Sequence, residues 1–325
     1  MTGRVLRVGT RASLLATTQA RHVADLIESR LGRAVQLVEV TTQGDRSDAP
    51  LATLGGTGVF VTALREALLD GRVDVAVHSL KDLPTAPAPG IALAAVPLRE
   101  DPRDVMVARD GLTLGELPVG SRVGTGSPRR AAQLHALGMG LDIVDIRGNV
   151  DTRIGKVRSG EYDAVVLARA GLARLGRLDD ATEVLDPLQM LPAPGQGALA
   201  VECRADDDVL AELAALDDRA SHVAVVAERA VLATLEGGCA APVGALAEVA
   251  EGDDGDELWI RAIALSPDGA LAVRMSATGT PDNAADLGAR LATDMLAEGA
   301  ADLATAEAAD GRPEAPAEPV RRQNA

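Results

Sequence analysis

Three short stretches set small polar residues beside arginine just ahead of a helical pattern: "GTRAS" at residues 9–13, "GTGSPRR" at 124–130 and "RGNVDTR" at 147–153. Ser13, Ser127 and Asn149 are residue types that cap helices, and Pro128 suits a first helical position. Free N–H groups at a helix N-terminus attract anions, and neighbouring arginines add bidentate forks for carboxylates. A single junction of this kind reads first as a helix cap with a solvated arginine. Three of them, each following a strand-like run, match the edge at which open α/β sheets hold ligands. A fourth stretch, "HSLKDLP" (78–84), leaves the apolar run "VDVAV". Lys81 and Asp82 there suit a general acid/base element or a plain surface ion pair in a turn. Alternation does not decide which of His78, Ser79, Lys81 and Asp82 face a cleft.

"EGGCAAP" places Cys239 directly after two glycines. Either the turn needs the glycines and the thiol is incidental, or something large must reach the sulfur. A cysteine nucleophile needs a histidine or helix N-terminus to lower its pKa, and no histidine lies close in sequence. An exposed thiol can also serve as an anchor. His22, His135 and His222 fall in helical patterns without ligand spacing, so no metal site is expected. Cys203, in "LAVECR", reads as a buried strand residue.

The elements that must position these groups alternate through the first two hundred residues. "RVLRVGT", "QLVEVTT" and "VDVAVHS" read as strands, separated by the helical patterns "SLLATTQARHVADLIESRLG" and "GVFVTALREALLDG". This βαβαβ order predicts a parallel sheet with right-handed crossovers. After "LPTAPAPG", "IALAAVPL" and "REDPRD" a second series of the same kind begins. Two such series side by side predict two lobes around a cleft, and "LPAPGQGALAVECR" returns the chain toward the first. The expected division is residues 1–97 with 198–216 for lobe 1 and 98–197 for lobe 2. Residues 217–305 form a small α+β domain with antiparallel strands, and 306–325 a Pro-rich tail expected to be disordered.

The 325 residues carry a formal charge of −16, which excludes a general nucleic-acid binder. Residues 121–177 nevertheless hold ten bases against five acids, whereas 205–258 hold two against fourteen. An arginine-rich middle in an acidic chain points to a local site for a small anion. With one Trp, one Tyr and one Phe, the cores must be built from Ala, Val and Leu, which favours layered α/β architecture. Two cysteines do not make a disulfide framework. The first residues lack the apolar core of a signal peptide and no stretch is long and apolar enough to span a bilayer, so a cytoplasmic chain is expected.

Nine motifs taken in order resemble the porphobilinogen deaminase (hydroxymethylbilane synthase) family over about residues 4–305. They are "GTRAS", "GGTGVFV", "DVAVHSLKDLP", "REDPRDV", "GTGSPRR", "RGNVDTR", "YDAVVLARAGLARLG", "PAPGQGALAVECR" and "LEGGCAAPVGA". The resemblance implies two periplasmic-binding-protein-like lobes and a third domain that carries a cysteine to the cleft. It implies a transferase of tetrapyrrole (porphyrin, haem) biosynthesis that joins four porphobilinogen molecules head to tail with loss of ammonia. Hydroxymethylbilane is then released by hydrolysis. By similarity Cys239 forms a thioether to one dipyrromethane cofactor per chain, and Asp82 stabilises the azafulvene-like cation left when ammonia departs. Lys81, Ser79, Thr125, Ser127, Arg129, Arg130, Arg147, Arg153 and Arg174 are implied as cofactor contacts. Arg11, Ser13, Gln19, Asn149 and Gln196 are implied as substrate contacts. No nucleic acid, membrane or obligate protein partner is implied, and a monomer is expected.

The sequence departs from many relatives at Thr57 and Thr62, where those carry lysines, and at Gly126 and Pro128 of "GTGSPRR", where relatives often read "GTSSLRR". The rivals are a two-lobed solute-binding or sensor protein, which has no need of the cysteine turn, and a thiol or Schiff-base enzyme acting through Lys81.

Overall fold

The computed structural model describes residues 4–40, 58–236, 242–252 and 255–303. The chain runs through β1 (Leu6–Thr10), α1 (Leu14–Leu26), β2 (Val35–Glu39), α2 (Gly58–Leu69), β3 (Val75–Ser79) and β4 (Ile91–Ala95). A second series follows: β5 (Asp104–Ala108), β6 (Arg122–Gly124), α3 (Pro128–Ala136), β7 (Asp142–Val144), α4 (Val150–Arg158), β8 (Ala164–Ala168), α5 (Arg169–Arg174) and β9 (Glu183–Val184). The chain then returns through β10 (Leu199–Arg204) and α6 (Val209–Leu213). The last part comprises α7 (Arg219–Glu236), β11 (Val243–Gly252), β12 (Gly255–Leu265), β13 (Ala272–Gly279) and α8 (Ala284–Ala297).

The first sheet has the order β2-β1-β3-β10-β4 and the second β7-β6-β8-β5-β9, the same arrangement twice. In each, the first three strands are parallel. The βαβαβ run of the first sheet is thus parallel as expected, and the fourth strand of each sheet, outside that pattern, is reversed. The reason lies in the connections. Parallel strands arrive at the cleft with their carboxyl ends, whereas β5 and β10 have just crossed between lobes and start there. Leu199, the first residue of β10, pairs with Ser79, the last of β3; Asp104, the first of β5, pairs with Ala168, the last of β8. Both crossovers therefore deliver their first side chains to the edge where ligands bind.

Each sheet buries its aliphatic residues in its own core. Val8, Val23, Val75, Leu199 and Leu213 pack in the first, and Met106, Val123, Leu134 and Val166 in the second. The third unit packs α7 and α8 on the antiparallel sheet β11-β12-β13, around Val231, Leu258, Leu287 and Leu291. Its sheet also meets the second lobe, where Leu246, Ile263 and Leu265 pack on Ala132 and Leu191.

Glu228 of α7 ties this unit to the crossovers. The fully buried carboxylate accepts Arg99 Nη1 and Nη2 at 2.7 and 2.9 Å, the Gly195 N–H at 2.6 Å and the Ala247 N–H at 2.8 Å. A buried carboxylate is tolerated when its lone pairs are met in this way. The expected tail, residues 306–325, lies outside the described residues. Among the described residues no helix is long and apolar enough to cross a membrane.

Candidate active site

The three junctions singled out by residue type are helix starts at the carboxyl ends of parallel strands. Ser13 accepts the Ala16 N–H at 3.3 Å and caps α1; Ser127 accepts the Arg130 N–H at 3.4 Å and caps α3. Asn149 accepts the Thr152 N–H at 2.9 Å and caps α4. "HSLKDLP" ends β3 and tightens into a 3₁₀ turn over Leu80–Asp82. Leu80 is buried, so the turn holds Lys81 and Asp82 at the edge.

Two connected chambers lie between the lobes. The inner one, about 130 Å³, is lined by Gln19, Ser79, Asp82, Arg174 and Gln196. The outer one, about 490 Å³, is lined by Arg130, Asn149 and Arg153, with an apolar wall from Leu14, Val150, Leu167 and Leu175. Arg11, Ser13 and Lys81 line both. Eleven residues expected from the sequence are thus brought together from both lobes.

Four others are not. Thr125 is buried, with its hydroxyl accepting the Ser127 N–H at 3.2 Å, and Ser127 serves the helix cap. Arg129 does not line the chambers, donating instead to the Leu191 carbonyl at 2.5 Å and to Asp104 at 2.7 Å. Arg147 is exposed and paired with Asp145 at 3.0 Å. Cys239 and Thr57 lie outside the described residues, and Thr62 is exposed on α2.

The chambers are electrostatically lopsided. Burial pulls Lys81 down to about 8, even though Asp82 beside it favours the charged form. Burial likewise lowers Arg174 to about 10, and lowers Arg153, which also faces Arg130. These cations hydrogen-bond neutral amide oxygens: Lys81 to Gln196 Oε1 at 3.2 Å, Arg153 to the Gly148 carbonyl at 2.9 Å, and Arg174 to the Gly197 carbonyl at 2.6 Å. Partly desolvated cations of this kind are stabilised by a carboxylate-bearing ligand.

Sequence reasoning assigned no role to Asp104, which lies fully buried under this group and pairs with both Arg129 and Arg130. The arginines hold its carboxyl far below the usual range despite burial. Its signal was a carboxylate opening the apolar run "VMVA". His78, the other residue that alternation left open, points to the opposite side of β3 from the cleft. There it is buried with Nε2 3.2 Å from Glu202, whose carboxylate also takes two hydrogen bonds from Arg65.

Fold and cleft together define a two-lobed α/β protein with a third domain and a cleft lined by cations from both lobes. Residues 6–212 match the family model for the porphobilinogen deaminase dipyromethane cofactor binding domain, and 222–297 that for the porphobilinogen deaminase C-terminal domain. The chain belongs to the porphobilinogen deaminase family. It is 59% identical over 305 residues to the porphobilinogen deaminase of Mycobacterium marinum (strain ATCC BAA-535 / M), covering 92% of this chain and 96% of that one. The Mycobacterium tuberculosis (strain ATCC 25177 / H37Ra) protein is also 59% identical, covering 92% and 98%. Solved structures that resemble it include an ABC-transporter periplasmic substrate-binding protein from Coxiella burnetii (16% identity, 65% of this chain and 91% of that one, TM-score 0.42). The methionine-binding protein MetQ is another (13% identity, 65% and 89%, TM-score 0.40).

Proposed function

We propose that the two chambers are the working site of a hydroxymethylbilane synthase, with this chain's cations holding carboxylates and Asp82 acting on the reacting pyrrole. The enzyme is a transferase of tetrapyrrole biosynthesis: it condenses four porphobilinogen molecules, releases ammonia, and frees hydroxymethylbilane by hydrolysis. The observation that carries the assignment of residues is the set of partly buried cations that line the two chambers together with Asp82 at the edges of both sheets.

A dipyrromethane bears an acetate and a propionate on each ring, so its four carboxylates fit a cleft in which Lys81, Arg153 and Arg174 otherwise donate to amide oxygens. When bound it supplies a fixed primer with a nucleophilic terminal pyrrole carbon. Lys81, Arg130 and Arg153, at the outer chamber, are its proposed holders. Arg11, Ser13 and Gln19, around the inner chamber, take the incoming substrate's carboxylates, and Arg174 beside them is a further cofactor contact. Asp82 accepts the substrate's pyrrole N–H, and its negative charge stabilises the cation that develops as ammonia leaves. The apolar wall of the outer chamber excludes water and strengthens each ion pair.

Cys239 is the proposed thioether anchor. The end of α7 is fastened beside the Asp82 turn: Arg229 donates to the Leu83 and Pro84 carbonyls at 3.0 and 2.6 Å, and Thr85 donates to Glu236 at 2.6 Å. Cys239 follows Glu236 by three residues, about 10 Å of extended chain. A cytoplasmic monomer, divided at residues 97/98, 197/198 and 216/217, completes the reading. The division is supported by the separate core of each unit.

Intact mass tests the anchor. The purified chain should exceed its sequence mass by one dipyrromethane, and Cys239→Ser should remove the excess. An unmodified chain turning over at full rate defeats it.

A further inference from the structure

The buried groups beneath Lys81 form a chain of fixed polarity. Asp104 Oδ1 accepts Arg130 Nη2 at 2.8 Å and Gln196 Nε2 at 2.7 Å, while Oδ2 accepts Arg129 Nη2 at 2.7 Å. Gln196, 1% exposed, also donates from Nε2 to the Pro102 carbonyl at 2.7 Å. Both neighbours of that nitrogen are acceptors only, a carboxylate and a carbonyl. Turning the amide over would set its oxygen against two acceptors and strand a buried donor. Oε1 is therefore obliged to face Lys81 Nζ, 3.2 Å away.

We propose that Asp104 is a positioning residue for Lys81: through the Gln196 amide it fixes an acceptor on the ammonium and holds that cation, charged and aimed into the chambers, for the ligand's carboxylates. The inference rests on Lys81 being a carboxylate-binding residue. Charged groups face Lys81 from several elements: Asp82 from its own turn, Arg129 and Arg130 from α3, and Asp104 from β5. Arg11 and Arg174 line the inner chamber with it, and Arg153 the outer. Among so many arginines a lysine would shed its proton readily, and a neutral amine is a poor partner for a carboxylate. Asp104 offsets the two arginines of α3, and the oriented amide adds a directional acceptor. Asp104 opens β5 after one crossover and Gln196 lies in the other, whereas Lys81 belongs to the first lobe. The relay thus closes only when both crossovers and the β3 edge are in register.

The chain contains two lysines, Lys81 and Lys156. Lys156 is paired with Glu161 at 2.8 Å on the second lobe's surface and serves as an internal reference. Acylation of the purified full-length protein by a small amine reagent, followed by peptide mass spectrometry across a pH series, gives a titration midpoint for Lys81. Gln196→Glu should raise that midpoint by about one pH unit or more, and Gln196→Ala should lower it. Asp104→Asn should lower it by about one unit, and by less than half as much when Gln196 is already Ala. An equal Asp104→Asn shift in both backgrounds would show charge acting through space alone and overturn the relay. Unmoved midpoints in the Gln196 variants would do the same, and these decide the matter should Asp104→Asn not fold. Lys81 titrates whether or not the chain carries its cofactor. Intact mass recorded on the same samples therefore separates failure of the relay from failure of the proposed function.

Discussion

Asp82 and Lys81 are adjacent in sequence yet face different duties, because the 3₁₀ turn that carries them ends at a chamber crowded with cations. In the proposed function the lysine holds carboxylates, and the aspartate is the negative charge offered to a pyrrole N–H in the inner chamber. Asp82→Asn keeps the shape and hydrogen-bonding reach but removes the charge. It should retain the dipyrromethane mass increment and lose turnover by about a hundredfold or more. Near-normal turnover, measured as hydroxymethylbilane formation, would assign Asp82 to structure. The neighbouring Arg129 and Arg130 show where residue-level reasoning stops. In "SPRR" they look equivalent, but one helical step turns the side chain by about 100°. Arg130 consequently lines the outer chamber and Arg129 runs to Leu191 and Asp104.

At the scale of elements, the caps carry the site and α7 is fastened beside the Asp82 turn through Arg229. Ser13, Ser127 and Asn149 were legible because cap chemistry is confined to four consecutive residues. The docking of α7 was not, because it depends on Gly288 of α8 lying against the α7 backbone. A Cβ built at Gly288 would stand 2.2 Å from the Ala227 carbonyl oxygen. Gly288→Ala must therefore push α7 and α8 apart, at a cost of about 2 kcal/mol. The melting temperature should fall by several degrees in a calorimetric scan; an unchanged transition would mean that the helices separate freely. Glu228, on the same helix, explains why such a shift would be felt at the crossovers through Arg99 and Gly195.

At the scale of the molecule, the chain is acidic overall, with −16 formal charges, while the cleft concentrates partly buried cations. A ligand with four carboxylates relieves that imbalance, so its loss should register as lost stability. The Cys239→Ser protein, isolated without the cofactor, should melt several degrees below the wild type, read by circular dichroism. Equal melting temperatures would show the cations to be satisfied by the amide oxygens of Gln196, Gly148 and Gly197.

Sequence alone determined the strand–helix junctions, the two similar βα series, the antiparallel third unit and, through its ordered motifs, the family. Each of these is encoded by periodicity or cap chemistry within a few residues. Tertiary structure decided which strands are reversed, which arginine faces the cleft, and the roles of Asp104 and Glu228. Those outcomes rest on contacts such as Gln196 with Asp104 and Lys81 with Gln196, 92 and 115 residues apart. No local pattern records such pairs, because they exist only once two crossovers and two sheets have settled into register.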